Sequence, residues 1–468
     1  METNGIARAK AWAKAHEEEL VRDLFSIVRV KSVSVRSQEG PPYGEGCAQA
    51  LKHMLERAAS YGFLTENSND YCGSVLYPGK EKRELAVCAH LDVVPEGDGW
   101  RHDPYDPYLK DGWVYGRGAA DNKGAAVACL YLLRYLKEQG ISFRHTIRVI
   151  YGCNEEAGMT DIPYYLSCHE APDFVLVPDA ALPAVYAEKA GINALFSSPV
   201  KGNLVSFAAG HSLDSVPVHA ACVLSGVSYP EVKARLDGQA YVTVRESAQG
   251  VMIAGEGLAA HAAFPERGYS AAVRVARAVL RHRLCNEEAA NIFRFIAAFE
   301  QTDGTGLDIG FSDEISGKMT VSGCRIETKN GRIFHSFQGR GPVTVPQQTV
   351  WDALEQRAVA WGWRAEEKAF KPFNVISPDH PVIQALTRNS VEAHGIPMRP
   401  FAMAGGTYAR MFPRAVAAGF GLQGQKKPCP AGHGGGHQPD ECVSLTNLEN
   451  GIAIYAETLQ DIDALTHY

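Results

Sequence analysis

Glu84-Leu85-Ala86-Val87-Cys88-Ala89-His90-Leu91-Asp92 is the stretch on which the fold turns. The short apolar run Leu85 to Ala89 reads as a buried strand. A histidine and an acid follow where that strand stops. The same arrangement recurs outward along the chain. Thr146 to Tyr151 reads as a strand and is followed by Asn154-Glu155-Glu156, and Phe174 to Val177 ends in Pro178-Asp179. Tyr108 to Gly118 carries Asp111-Gly112 between strand-like segments, a hairpin signal. It leads to Asp121-Asn122-Lys123-Gly124, which opens an apolar helix over Gly124 to Glu138. Further helices are expected over 6–31 and over Glu45 to Ala59. Strands alternating with helices predict an α/β domain with a mixed, mostly parallel sheet flanked by helices. In open parallel sheets, ligands bind outside the carboxyl ends of the strands. Four such places, each bearing histidine or carboxylate, would converge on one crevice.

After about Glu188 the texture changes to α+β. Short strands are expected at Ala240 to Arg245, Gly250 to Ala254, Met319 to Glu327 and Arg332 to Gln338. They are interleaved with helices at His219 to Leu224, Tyr229 to Leu236, Ser270 to Leu284, Ala289 to Phe299 and Thr349 to Trp361. After Pro378 the pattern returns to a helix (Pro381 to His394), a Gly-rich loop, an apolar strand (Ala415 to Leu422) and a closing helix (Leu445 to Leu465). The expected organisation is an α/β domain of residues 1–187 joined to 377–468, interrupted by an inserted domain of 188–376 with antiparallel sheets and helices.

Composition bounds the function. The 468 residues are 46% hydrophobic and 21% charged, enough to build a large core and too apolar for wholesale disorder. Forty-six basic against 53 acidic residues give a net charge of -7, which suits neither nucleic acid nor an anionic membrane surface. No run of 18 apolar residues is present, so no transmembrane helix is expected. The N-terminal tract, with Glu2, Arg8, Lys10, Lys14 and Glu17 to Glu19, is a charged amphipathic helix start rather than a signal peptide. Eleven scattered cysteines without a paired C-x-x-C motif suit a reducing cytoplasm.

Imidazole with several carboxylates is the donor set of Zn, or of Mn and Co in similar sites. Two adjacent metals need a bridging carboxylate, and they clamp an attacking water. In Glu155-Glu156, one carboxylate can face metal and the other water, where it serves as general base and then as acid to the leaving amine. Asp92, two residues beyond His90, can buttress a ligating histidine. Each piece alone has a plainer reading. A Glu-Glu pair is usually solvated surface, His90 a satisfied core histidine, Asp121 a helix cap, and Asp179 the close of a turn. Their co-occurrence at strand ends favours a site.

As a set, these residues resemble the motifs of the M20 metallopeptidases. The motifs are His90-Leu91-Asp92-Val93-Val94-Pro95, Gly118 to Gly124, Asn154-Glu155-Glu156-Ala157-Gly158 and Pro178-Asp179-Ala180. They continue through Ala187-Glu188-Lys189-Ala190-Gly191, Gly405-Gly406-Thr407-Tyr408-Ala409-Arg410 and His437-Gln438-Pro439-Asp440-Glu441. Within the family the chain is similar to the PepV/Sapep-type dipeptidases, which carry a long inserted lid. The resemblance implies two Zn2+ per chain, with Mn2+ or Co2+ as alternatives. His90 and Asp179 would hold one metal, Glu156 and His437 the other, and Asp121 would bridge. Glu155 would activate a water between the metals, with Asp92 behind His90. It also implies a cis peptide at Asp121-Asn122. His433 competes with His437, and the Gln-Pro-Asp-Glu continuation favours His437.

In the inserted domain, Ala260-His261-Ala262 with Pro265 resembles the lid motif whose histidine hydrogen-bonds the oxyanion. Arg340, before Gly341-Pro342, falls where the family clamps the substrate carboxylate. Gly405, Gly406 and Thr407 would line the same cleft. Two departures stand out: Asp214 replaces the family's Asn, and Gly341 replaces an aromatic. The expected activity is hydrolysis of dipeptides or short peptides. The alternatives are an N-acyl amino acid deacylase, desuccinylase or carbamoyl amidohydrolase on the same metals, and a non-catalytic peptide-binding relative. The long insertion further implies a chain that supplies His261 and Arg340 to its own cleft as a monomer.

Overall fold

The computed structural model describes residues 4–213 and 215–465. The chain forms two compact units. One comprises Met1–Tyr186, Asn374–Phe401 and Gly406–Tyr468, the other Ala187–Phe373 and Ala402–Gly405.

In the first unit the strand Glu84–His90 pairs in parallel with Thr146–Gly152 on one side and Phe174–Val177 on the other. Ala415–Ala417 extends the parallel set beside Phe174–Val177. The hairpin Leu64–Ser68 and Cys72–Tyr77 completes the opposite edge, antiparallel to Thr146–Gly152. Beyond Glu84 and Thr146, every residue of the two central strands is buried. That is why their sequences are continuous apolar runs: both faces of such a strand are covered. The register matters most for function. His90 lies opposite Gly152 and Val87 opposite Leu176, so the segments carrying Asp92, Glu155, Glu156 and Asp179 leave the sheet at one edge.

The helix Lys123–Glu138 is buried from Lys123 through Leu136 and packs in one core with Leu445–Asp463. Each fully buried leucine, such as Leu130, Leu132 or Leu133, contributes about 1.5–3 kcal/mol. Asp111-Gly112 forms the expected tight hairpin, both residues at positive φ (51° and 76°), as the favoured two-residue turn requires. Its strands, Tyr108–Lys110 and Trp113–Tyr115, take Cys442–Ser444 as a third, with Cys442 opposite Tyr115. This small sheet brings the C-terminal tract of His437 beside the loop of Asp121.

Two expectations for this unit are corrected. The single helix over 6–31 is two helices, Gly5–Ala15 and Glu17–Val28, separated at His16 (φ -105°). The strand over Ala415 to Leu422 is two pieces, Ala415–Ala417 and Gly421–Leu422. Between them Gly419 approaches the chain so closely that a Cβ there would lie 1.6 Å from the Ala180 carbonyl oxygen.

The second unit is an eight-stranded antiparallel sheet. Its order is Val242–Ser247, Gly250–Glu256, His219–Leu224, Leu204–Ala209, Thr320–Lys329, Arg332–Gly341, Ala190–Pro199 and Arg364–Lys371. Helices Ala271–Arg281, Glu287–Ala297 and Gln347–Ala360 share its core. His219–Leu224, expected as a helix, is a strand within this sheet. Among the described residues no helix is long and apolar enough to cross a membrane.

Candidate active site

His90 is the last residue of its strand and is fully buried. Its Nδ1 lies 2.9 Å from the main-chain oxygen of Asp92, a contact made when Nδ1 carries the proton. The lone pair of Nε2 then faces two carboxylates, Asp121 Oδ1 at 3.1 Å and Asp179 Oδ2 at 3.6 Å. Such an arrangement is repulsive unless a cation or a proton lies among them.

Asp121 sits in the loop that opens the helix Lys123–Glu138, and the Asp121-Asn122 peptide is cis. Asn122 orients its neighbours His90 and Asp179. Its Nδ2 donates to the Pro178 carbonyl (2.8 Å) and to Asp179 Oδ1 (3.2 Å), while its Oδ1 accepts from the His90 N–H (3.4 Å). The other oxygen of Asp121, Oδ2, lies 3.4 Å from His437 Nε2, and the same nitrogen is 2.9 Å from Glu156 Oε1. Asp121 thus presents one oxygen to each of two histidines. His90, Asp121 and Glu156 place donor atoms within 4.8 Å of one another, and so do His90, Glu155 and Asp179.

The two glutamates leave the strand Thr146–Gly152 in a turn held by Asp92. Both oxygens of Asp92 are spent on it, accepting the N–H groups of Glu155 and Glu156 at 3.0 Å each. Asp92 therefore braces the glutamates as well as His90, whose Nδ1 is 3.4 Å from its carboxylate. His437 reaches the group from a backbone in the left-handed region, φ 62°. His433 is not part of it: its Nδ1 pairs with Asp440 Oδ2 at 2.8 Å.

The electrostatics fit a cation site. Burial alone would lower the His90 pKa, but the Asp121 and Asp92 carboxylates override it and raise it. His437 is likewise pushed up to about 11 against its burial, through Asp121 and Glu156. Burial raises Glu155 and Glu156, and the neighbouring acids Asp179 and Asp121 add to it. The two histidines and the two glutamates are drawn towards their protonated forms, while His437 and His90 hold Asp121 well below the usual carboxylate range against its burial, the response of a pocket with excess negative charge. The nearby cations are committed elsewhere, Arg117 to Glu441 (2.6 Å) and Lys123 to the Val30 carbonyl (2.7 Å). Two imidazoles and several carboxylates in such a pocket are donors suited to divalent metal.

The residues expected around substrate fall differently. His261 and Arg340 belong to the second unit. His261 is exposed in a turn and its Nδ1 accepts from the Ala263 N–H (3.0 Å). Arg340, near the end of its strand, donates to the Gly339 carbonyl and to Gln338 Oε1, both at 3.1 Å. Gly405 is grouped with the second unit, and Gly406 and Thr407 with the first. A Cβ on Gly406 would strike the Arg410 guanidinium, and Thr407 Oγ1 caps the following turn through the Ala409 N–H. Asp214 lies outside the described residues.

Several supporting residues have no role that the sequence alone assigns. Asp161 is buried and accepts the N–H groups of Cys153 (2.7 Å) and Asn154 (2.9 Å) and the Tyr408 hydroxyl, anchoring the turn before Glu155. Burial pushes its pKa up to about 6. Arg117 and Glu441 form a buried pair beneath the Asp121 loop. Asn122 and Glu441 lie inside quoted motifs, a signal that was available. Asp161 carries no signal beyond an acid in the first turn of a helix.

Comparisons with known proteins agree with this geometry. The family model for "Peptidase family M20/M25/M40" matches residues 86–461. The chain is 30% identical to "Putative dipeptidase YtjP" of Bacillus subtilis (strain 168), covering 95% of this chain and 97% of that one. It is 28% identical to the Beta-Ala-Xaa dipeptidase of Lactobacillus delbrueckii subsp. lactis, over 97% and 98% of the two chains. Among solved structures, the fold is similar to that of the di-peptidase Dug1p of Saccharomyces cerevisiae, with a TM-score of 0.63, 12% identity and 99% of each chain covered. It is also similar to human carnosine dipeptidase 1, with a TM-score of 0.59, 15% identity and 98% and 99% coverage. The match across most of the chain, and the candidate ligands gathered at one sheet edge, lead to one conclusion: the chain belongs to peptidase family M20/M25/M40.

Proposed function

We propose that this protein is a metal-dependent dipeptidase that hydrolyses the amide bond of a dipeptide or short peptide. The observation that carries the reading is the division of donors about Asp121. His90 faces Oδ1 with Asp179 at hand, and His437 faces Oδ2 with Glu156 at hand. The Beta-Ala-Xaa dipeptidase among the relatives supports the substrate class.

Two divalent cations, Zn2+ or alternatively Mn2+ or Co2+, held by His90 and Asp179 on one side and Glu156 and His437 on the other with Asp121 bridging, would polarise the amide carbonyl as Lewis acids. Glu155 takes a proton from the attacking water as its oxygen bonds to the carbonyl carbon. When the C–N bond breaks, Glu155 returns that proton to the leaving nitrogen, giving an amine and a carboxylic acid, and the acid then releases its own proton to leave the carboxylate. Asp92 and Asn122 fix the orientation of these groups. His261 as oxyanion donor and Arg340 as the partner of the substrate carboxylate are assigned by their motifs. Eleven free thiols suit a cytoplasmic enzyme, and the insertion suits a monomer.

The test is metal analysis of the purified protein with a panel of dipeptides and N-acyl amino acids. Two equivalents of divalent metal and turnover of dipeptides with a free α-amino group are expected. Preference for N-acyl substrates would move the assignment to the deacylases. Glu155→Gln should keep its metal and lose about 10²–10⁴-fold in kcat. Wild-type turnover in that variant would refute the mechanism.

A further inference from the structure

Glu441 has an environment that ordinary burial does not require. Its carboxylate is fully buried, and four donors converge on it. Oε1 accepts the N–H groups of Ala120 and Asp121, both at 2.9 Å. Oε2 accepts the Gly118 N–H at 3.0 Å and Arg117 Nη1 at 2.6 Å. Three of these donors are consecutive or near-consecutive backbone groups of the loop that ends at the bridging Asp121.

The other connections run to the remaining ligand segments. Glu441 lies four residues after His437, and its own carbonyl accepts the Gly116 N–H at 3.0 Å. Arg117 continues outward, donating from Nη2 to the Glu96 carbonyl at 3.1 Å and lying 5.0 Å from the Trp100 ring centroid. The segment of Glu96 and Trp100 follows the strand that ends in His90. The neighbouring Asp440 repeats the pattern, accepting the Arg101 N–H at 2.9 Å. One buried carboxylate therefore ties the Asp121 loop to the His437 loop, and through Arg117 to the chain leaving His90.

We propose that Glu441 is a positioning residue for the metal pair, fixing the separation of Asp121 and His437 so that both ends of the bridge are formed before metal arrives. This rests on the dinuclear reading given above. The chemistry calls for a carboxylate in particular. A glutamine would turn an NH2 group towards backbone N–H donors, and an unpaired buried donor is costly. A strut serving the fold alone needs no convergence of four donors beside a metal bridge. Residues that orient ligands from behind set metal affinity by about 10–100-fold.

The experiment compares wild type and Glu441→Gln by titrating apo protein with Zn2+ or Mn2+ in a calorimeter. Dipeptidase kinetics are then followed at rising free metal, and the melting temperature of both apo proteins is recorded. The expected result is a 10–100-fold weaker metal affinity, a kcat lost at stoichiometric metal and regained in excess metal, and a KM for dipeptide within about threefold of wild type. A structural strut would instead lower the apo melting temperature and leave the metal affinity unchanged, and that outcome overturns the proposal. Should Glu441→Gln not accumulate as folded protein, Arg117→Lys, which keeps the charge but loses the forked contact, is measured in the same way against the same criteria. Failure of wild type to bind divalent metal would sink the dinuclear reading itself, a result separate from equal affinity in the two proteins.

Discussion

At the residue scale, the candidate ligands were legible because they sit in short local motifs. His90-Leu91-Asp92 and Asn154-Glu155-Glu156 announce themselves by following apolar strands. What was not legible is what holds them. Asp92 spends both carboxylate oxygens on the backbone of Glu155 and Glu156, and backbone N–H groups leave no trace in a sequence. The same blindness applies to His335, which no motif marks. It is buried among Phe295, Phe299 and Trp363, with ring centroids 4.8–6.1 Å away. Its Nδ1 has no hydrogen-bond partner, and burial pushes its pKa down to about 3. The sign of its effect follows. Below an unfolded-state pKa of about 6.5 the unfolded chain binds a proton that the folded chain refuses. The stability of the neutral form is full above that pH and is lost as pH falls towards 3, by about 1.4 kcal/mol per unit. Urea denaturation followed in the second unit between pH 7 and pH 4 should show this slope. His335→Leu should flatten it, and an unchanged slope would show that another group is responsible.

At the element scale, the central strands and the long buried helix of the first unit are legible in the sequence. Its strands are buried on both faces and its helix Lys123–Glu138 nearly all round, so composition and length suffice. In the second unit the expected helix over His219 to Leu224 falls on a stretch that is rich in alanine and lacks strand alternation. It is a strand because it is flanked on both sides in the sheet, by Leu204–Ala209 and Gly250–Glu256. Tertiary pairing overrode local propensity. The closing helix Leu445–Asp463 shows the converse, a local rule broken for packing. Gly451 occupies its interior, where alanine is ordinarily better by about 1 kcal/mol. A Cβ there would lie 2.2 Å from the Phe420 ring, itself buried edge-on against Tyr455 with centroids 5.0 Å apart. Overpacking of this kind costs about 1–3 kcal/mol, enough to outweigh the propensity gain. Gly451→Ala should therefore lower the melting temperature, and a rise would show that Phe420 gives way freely.

At the scale of the whole molecule, the two units have separate hydrophobic cores, and every candidate metal ligand belongs to the first. The sequence texture changes near Glu188, where the strand pattern shifts from continuous to mixed. It did not reveal that Ala402–Gly405 groups with the second unit, since four residues carry no periodicity. Separate cores make metal a selective stabiliser. A ligand that binds only the folded state adds about 2.7 kcal/mol when its free concentration is a hundred times its Kd. For a unit of this size that corresponds to a shift of roughly 5 °C in melting temperature. Calorimetric scans of the metal-loaded protein, before and after treatment with a chelator, should show one transition falling by that amount. The second transition, belonging to the antiparallel unit with His335, should stay in place. Assignment is direct, because His335→Leu should move only the transition that the chelator leaves alone. If instead chelation shifted both transitions equally, the metal would be stabilising contacts outside the first core, and the confinement of its ligands to that unit would be wrong.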